Sequence, residues 1–254
     1  MFWSTTPQSL LDEETERWQI DCWRWLISGL SSSRSLRDGP LIVPDFQFFP
    51  ATDATGHDCA EYLFRCVTRL SGVEDWPFDL VAQAWHPDDD GKGTFDMEYA
   101  AGTYQEEPGG RMIIGYYPGL VDRPLDLIGT FAHEVSHGVA RSISNPPPGG
   151  WQMEEFAVEL TTVYLGFGLF GANNAFQTQF GKGLIKGLFG TWSMSSAGYL
   201  SQEQWAFALA VFLTLRGENE EAAREWLSKP LMKMFSRSMD YLDTNPDRLA
   251  SLRT

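Results

Sequence analysis

The stretch Phe131-Ala132-His133-Glu134-Val135-Ser136-His137 constrains this chain more than any other. On a helix, two imidazoles four residues apart stand one turn above each other on one face, where both can close on a single metal ion. The flanks predict that helix from about Pro124 to Ser142. Leu125, Leu127, Ile128, Phe131, Val135 and Val139 are apolar, and Gly129, Ala132, Ser136, Gly138 and Ala140 are small, so the helix is packed on most of its circumference. Two imidazoles and a carboxylate on such a helix need polar partners, and one metal ion satisfies all three. Glu134 follows the first ligand and can reach a water on the metal. There it would act as general base, while the ion lowers the pKa of that water toward neutrality.

Two histidines do not complete such a site, because catalytic zinc takes three protein ligands and keeps a fourth position for water. After the break at Asn145-Pro146-Pro147-Pro148-Gly149-Gly150 comes a second helical pattern, with Phe156, Leu160, Val163 and Phe167 as its apolar stripe. Glu155 and Glu159, four apart, share a neighbouring face, and Glu154 points about 100° away. That arrangement suits Glu155 as metal ligand, with Glu159 holding a histidine ligand in place or serving as the alternative ligand. The expectation is one Zn2+ per chain.

His133-Glu134-x-x-His137, seventeen residues, then Glu155-x-x-x-Glu159 resembles the gluzincin branch of zinc metallopeptidases, the thermolysin-like class. The resemblance implies a zincin-like fold, a Glu134 base, a glutamate ligand on the next helix, and a sheet edge above the metal that holds peptide substrate, for which segment 111–117 is the candidate. The chain departs from that class in three ways: the spacer is slightly shorter, Glu154 replaces the usual Asn before the third ligand, and the acid four positions later is Glu rather than Asp. The choice among Glu154, Glu155 and Glu159 as third ligand therefore stays open. No histidine follows His137, which disfavours the metzincin pattern. More of the chain, including 163–168, 195–200 and 241–245, is similar to a group of uncharacterised bacterial proteins with the same signature, a likeness that carries no substrate.

The remaining pattern predicts an α+β chain, mostly helical, with a small antiparallel sheet preceding the metal-binding helix. An amphipathic helix is expected from Gln8 to about Leu30, with Leu11, Trp18, Trp25 and Leu26 inside and Trp23 outside. A second runs from about Asp58 to Leu70 and ends at Gly72, with His57 as a loop or cap residue ahead of it. Strands are expected at 78–86, 94–105 and 111–117, separated by Gly and Asp turn clusters. His86 is a strand-end residue. The Asp88-Asp89-Asp90 run lacks the ligand spacing of a calcium loop and reads as a solvated turn. Further on, Ser201 with Gln204 reads as a capping box, a helix ends near Arg216-Gly217, and helical segments follow Asn219 and Pro230. Tyr199 reads as a packed aromatic, with donation to a developing oxyanion as its sharper alternative. The chain is expected to form one unit over 1–254, with an N-terminal lobe of helices and sheet (1–123) and a C-terminal helical lobe (124–254).

Lys and Arg number 19 against 34 Asp and Glu, a net charge of −15, which repels phosphate backbones and anionic membrane surfaces. Nucleic acid and membrane are thus poor partners, and a peptide or protein substrate is expected. No apolar run approaches a membrane span, the first residues lack the pattern of a secretory signal, and Cys22, Cys59 and Cys66 are odd in number. These features predict a cytoplasmic protein, with export by a signal-independent route still compatible. The rival to a hydrolase is a binding or immunity-type protein that keeps the metal as structure; the intact Glu134 argues against it, since structural sites close with a fourth protein ligand.

Overall fold

A computed structural model describes residues 7–37, 39–83, 101–173 and 199–253. The described chain is α+β, and its contacts gather it into two units. One comprises 44–139; the other joins 1–43 to 140–254. The first helix belongs to the unit that joins 1–43 to 140–254.

In the unit 44–139, α2 (Gly56–Ser71) is amphipathic, burying Leu63, Phe64 and Val67, and ends on Gly72 in the left-handed conformation. Three strands follow: β1 (Phe78–Ala82), β2 (Gly102–Glu106) and β3 (Met112–Tyr116). Their order is β1-β3-β2, with β3 parallel to β1 and antiparallel to β2. The sheet is therefore mixed, not antiparallel as the sequence predicts. Only β2 and β3 are joined by a tight turn, in which Gly110 N–H donates to Glu107 O. A long connection separates β1 from β2, which allows the parallel pairing. β3 lies in the centre because it is the most apolar strand, with four of its five residues buried. This also corrects the reading of 111–117 as the substrate edge: both sides of β3 are paired, and among the described residues the edges are β1 and β2. Residues 94–100 of the strand expected at 94–105, the Asp88–Asp90 turn and His86 lie outside the described residues.

The register places Leu80, Ile114 and Tyr104 in one row across the sheet, and Ala82, Tyr116 and Gly102 in the next. This face meets α3 (Pro124–Arg141). A Cβ added at Gly138 would stand 3.1 Å from Met112 Sδ, 3.5 Å from Tyr104 and 3.6 Å from Phe78, one residue from each strand. Phe131 is fully buried, edge-on to both Phe64 and Tyr116. Leu125, expected to be packed, lies in the first turn and is exposed.

The other unit is helical: α1 (Glu13–Leu30), the end of α3, α4 (Glu154–Tyr164), a helical stretch α5 described over 168–173, α6 (Gln202–Arg216), α7 (Glu221–Arg224) and α8 (Lys229–Thr244). The cap of α1 is Asp12, whose carboxylate accepts from Thr15 N at 2.9 Å and Thr15 Oγ1 at 2.7 Å, so the helix starts later than the expected Gln8. Trp23, expected outside, is fully buried, its ring 6.2 Å from that of Tyr164. Ser201 and Gln204 form the predicted capping box of α6. Ala206 to Leu213 of that helix are all buried, and α8 packs along it. Among the described residues no helix is long and apolar enough to cross a membrane.

Candidate metal centre

The centre is built first on α3. Its apolar and small residues sink one side of the helix, carrying the polar triplet inside with them. His137 and Glu134 are 8% and 6% exposed, and His133 is half-buried. Helical spacing sets the two imidazoles edge to face, with centroids 5.1 Å apart and planes at 82°. Ser136, between them in sequence, turns its hydroxyl back and donates to Ala132 O at 2.6 Å.

β2 closes on the same side of the helix. The ring of Tyr104 stacks on His137, with centroids 5.5 Å apart and planes 17° apart. Two residues earlier, a Cβ at Gly102 would stand 2.7 Å from Glu134 Oε1, 2.9 Å from Glu134 Cγ and 2.6 Å from Thr130 Cγ2. Only a residue without a side chain lets the strand approach the glutamate this closely.

Glu154, Glu155 and Glu159 sit on α4, whose start is fixed by several ties to its own unit. Trp18 Nε1 donates to Pro148 O and Trp25 Nε1 to Asn145 O, each at 2.9 Å, so two partly exposed tryptophans of α1 hold the proline-rich loop. Gly149 and Gly150 turn the chain with positive φ. Arg141, the last residue of α3, grips Glu154 with two hydrogen bonds, Nε to Oε1 at 2.6 Å and Nη2 to Oε2 at 3.2 Å. Glu159, one turn beyond Glu155, is buried and accepts from Leu200 N at 2.5 Å, just ahead of the α6 cap.

His133, His137 and Glu155 each offer one ligand atom, and the three atoms lie within 4.8 Å of one another. Glu154 is engaged by Arg141, and Glu159 by the Leu200 amide. Tyr199, expected to be packed, is 48% exposed. His57, in the first turn of α2, bonds Tyr116 OH through Nδ1 at 2.9 Å. A groove of about 610 Å3 between α2 and β1, lined by Phe64, Trp76 and Val81, contains none of the expected site residues.

Gly102, Tyr104 and Arg141 are the residues that the sequence reading passes over. A glycine inside a strand is a signal of close backbone approach; Tyr104 and Arg141 carry none, since nothing local says what they face. No family model, no curated protein and no solved structure matches this chain.

Proposed function

We propose that the chain is a metal-dependent hydrolase acting on peptides or proteins, in which His133, His137 and Glu155 hold one zinc ion and Glu134 is the general base. The observation that carries this reading is the group of two imidazole nitrogens and one carboxylate oxygen within 4.8 Å of one another. Ligands about 2.1 Å from a tetrahedral ion stand roughly 3.4 Å apart, so small side-chain rotations close the group on a metal. The donor set, two nitrogens and one oxygen, suits zinc and leaves a position open.

A bound zinc would supply a Lewis acid and a water of lowered pKa. The chain's own residues do the rest. Glu134, beside His133 and buried, takes the proton from the attacking water and returns it to the leaving group. Glu154, held by Arg141, keeps the start of α4 in register so that Glu155 is presented. Among the described residues β2 is the sheet edge beside Glu134 and His137, and it replaces segment 111–117 as the strand along which an extended substrate would lie.

The test is metal content with turnover. Protein purified without chelator should hold one zinc per chain and cleave members of a peptide library, with cleavage abolished by Glu134→Gln while zinc stays bound. Absence of zinc after add-back would end the reading, and zinc without any hydrolysis would favour the structural-metal rival.

A further inference from the structure

Two residues of β2 meet two site residues on α3. Gly102 and Tyr104 are two apart in a strand and therefore point to the same face. Tyr104 lies flat on His137, and Gly102 leaves the gap that the Glu134 side chain fills. Resting on the metal-site reading above, we infer that Tyr104 and Gly102 are positioning residues: the Tyr104 ring fixes the plane of the His137 imidazole for metal binding, and the bare Gly102 backbone sets where the Glu134 carboxylate stands.

The physical argument is one of preorganisation. A metal ligand must keep its ring plane aimed at the ion, and a neighbour that limits its rotation removes an entropic cost from binding. Helix packing alone does not fix the outer torsion of a histidine, which is broad. A flat aromatic surface against one side does. Tyr104 is itself held in the row Leu80-Ile114-Tyr104, so the sheet register transmits to the imidazole. Loss of groups that orient a ligand commonly weakens metal binding by about 10–100-fold. At Gly102 the constraint is steric: a methyl group there would stand 2.6 Å from Thr130 Cγ2, 2.7 Å from Glu134 Oε1 and 2.9 Å from Glu134 Cγ, and its overlap with Glu134 would push the carboxylate off its position.

The experiment uses Co2+ as probe on the full chain, reading affinity by chelator competition and the visible spectrum of the bound ion. Tyr104→Phe keeps the ring and should bind as wild type. Tyr104→Leu should bind at least about tenfold more weakly with an altered spectrum. Equal affinity and spectrum in Tyr104→Leu, with cobalt bound by wild type, would overturn the inference alone; no cobalt in wild type would overturn the metal-site reading and this one with it. A second measurement needs no metal. Gly102→Ala should lower the urea midpoint of the apoprotein, and lower it less in a Glu134→Ala background, where the Glu134 overlap is gone and only the Thr130 one remains. Equal drops in both backgrounds would show that Gly102 does not set Glu134.

Discussion

Arg141 ends the helix that carries both histidines, and it holds both carboxylate oxygens of Glu154, the residue that precedes Glu155. The pair closes the loop 142–153. Glu154→Ala should keep metal bound and cost about 1 kcal/mol or less, as expected for a partly exposed ion pair. Glu155→Ala should lose the metal. Metal analysis and urea unfolding of the two variants separate them; metal lost from Glu154→Ala and kept in Glu155→Ala would reverse the assignment.

For the histidines and the base, the expected outcomes differ in kind. His133→Ala and His137→Ala remove a ligand nitrogen each, so stoichiometry should fall from one metal per chain toward zero. Glu134→Gln leaves the ligands intact, and its cost is confined to the rate, about 10²- to 10⁴-fold for a missing general base. Atomic absorption beside a peptide assay reads both. A Glu134→Gln protein that hydrolyses as fast as wild type would remove Glu134 from the reaction.

The helix 124–141 and its histidines are legible from sequence because side-chain periodicity is a local property. So are Gly72, Gly217 and the Ser201 cap, where backbone geometry dictates residue type. What the sequence does not reveal is pairing. β3 takes the central place, and β1 pairs parallel to it, through contacts between residues more than 30 positions apart. Trp23 and Trp25 look alike in a helical pattern, yet Trp23 is fully buried, while Trp25 is half-covered and bonds to Asn145 O. The three glutamates of α4 are likewise indistinguishable locally. Their partners come from outside the helix, Arg141 for Glu154 and the Leu200 amide for Glu159.

Alkaline pH should unfold this chain early. Burial raises the Tyr116 phenol above its usual value of 10.0, with the nearby Glu61 adding to the effect. Burial and the bond to Glu16 raise Tyr241 likewise. The Cys22 thiol, fully buried, is pushed up as well. Each raised group stabilises the folded chain in full below its unfolded pKa, and that contribution is lost as pH rises toward the folded value. Stability should therefore be flat in these groups below about pH 8 and fall above the ordinary thiol and phenol values. Urea midpoints measured from pH 7 to 11 check this, and Tyr241→Phe should flatten part of the decline. A midpoint that rises with pH over that range would contradict the burial of these groups.

Glu16 offers a stability test far from the metal centre. It is 3% exposed on α1, and both its oxygens accept from the Tyr241 hydroxyl, at 2.9 and 3.2 Å, with Arg248 Nε 3.5 Å away. A buried carboxylate survives only with such partners. Glu16→Ala leaves the buried phenol without its acceptor and should cost about 1–3 kcal/mol. Tyr241→Phe leaves the carboxylate with Arg248 as its cationic partner and should also destabilise. Because the two side chains touch, the double variant should cost less than the sum of the singles. Urea unfolding of the four proteins measures the coupling; strict additivity would mean that the hydrogen bond contributes nothing to holding α1 against α8.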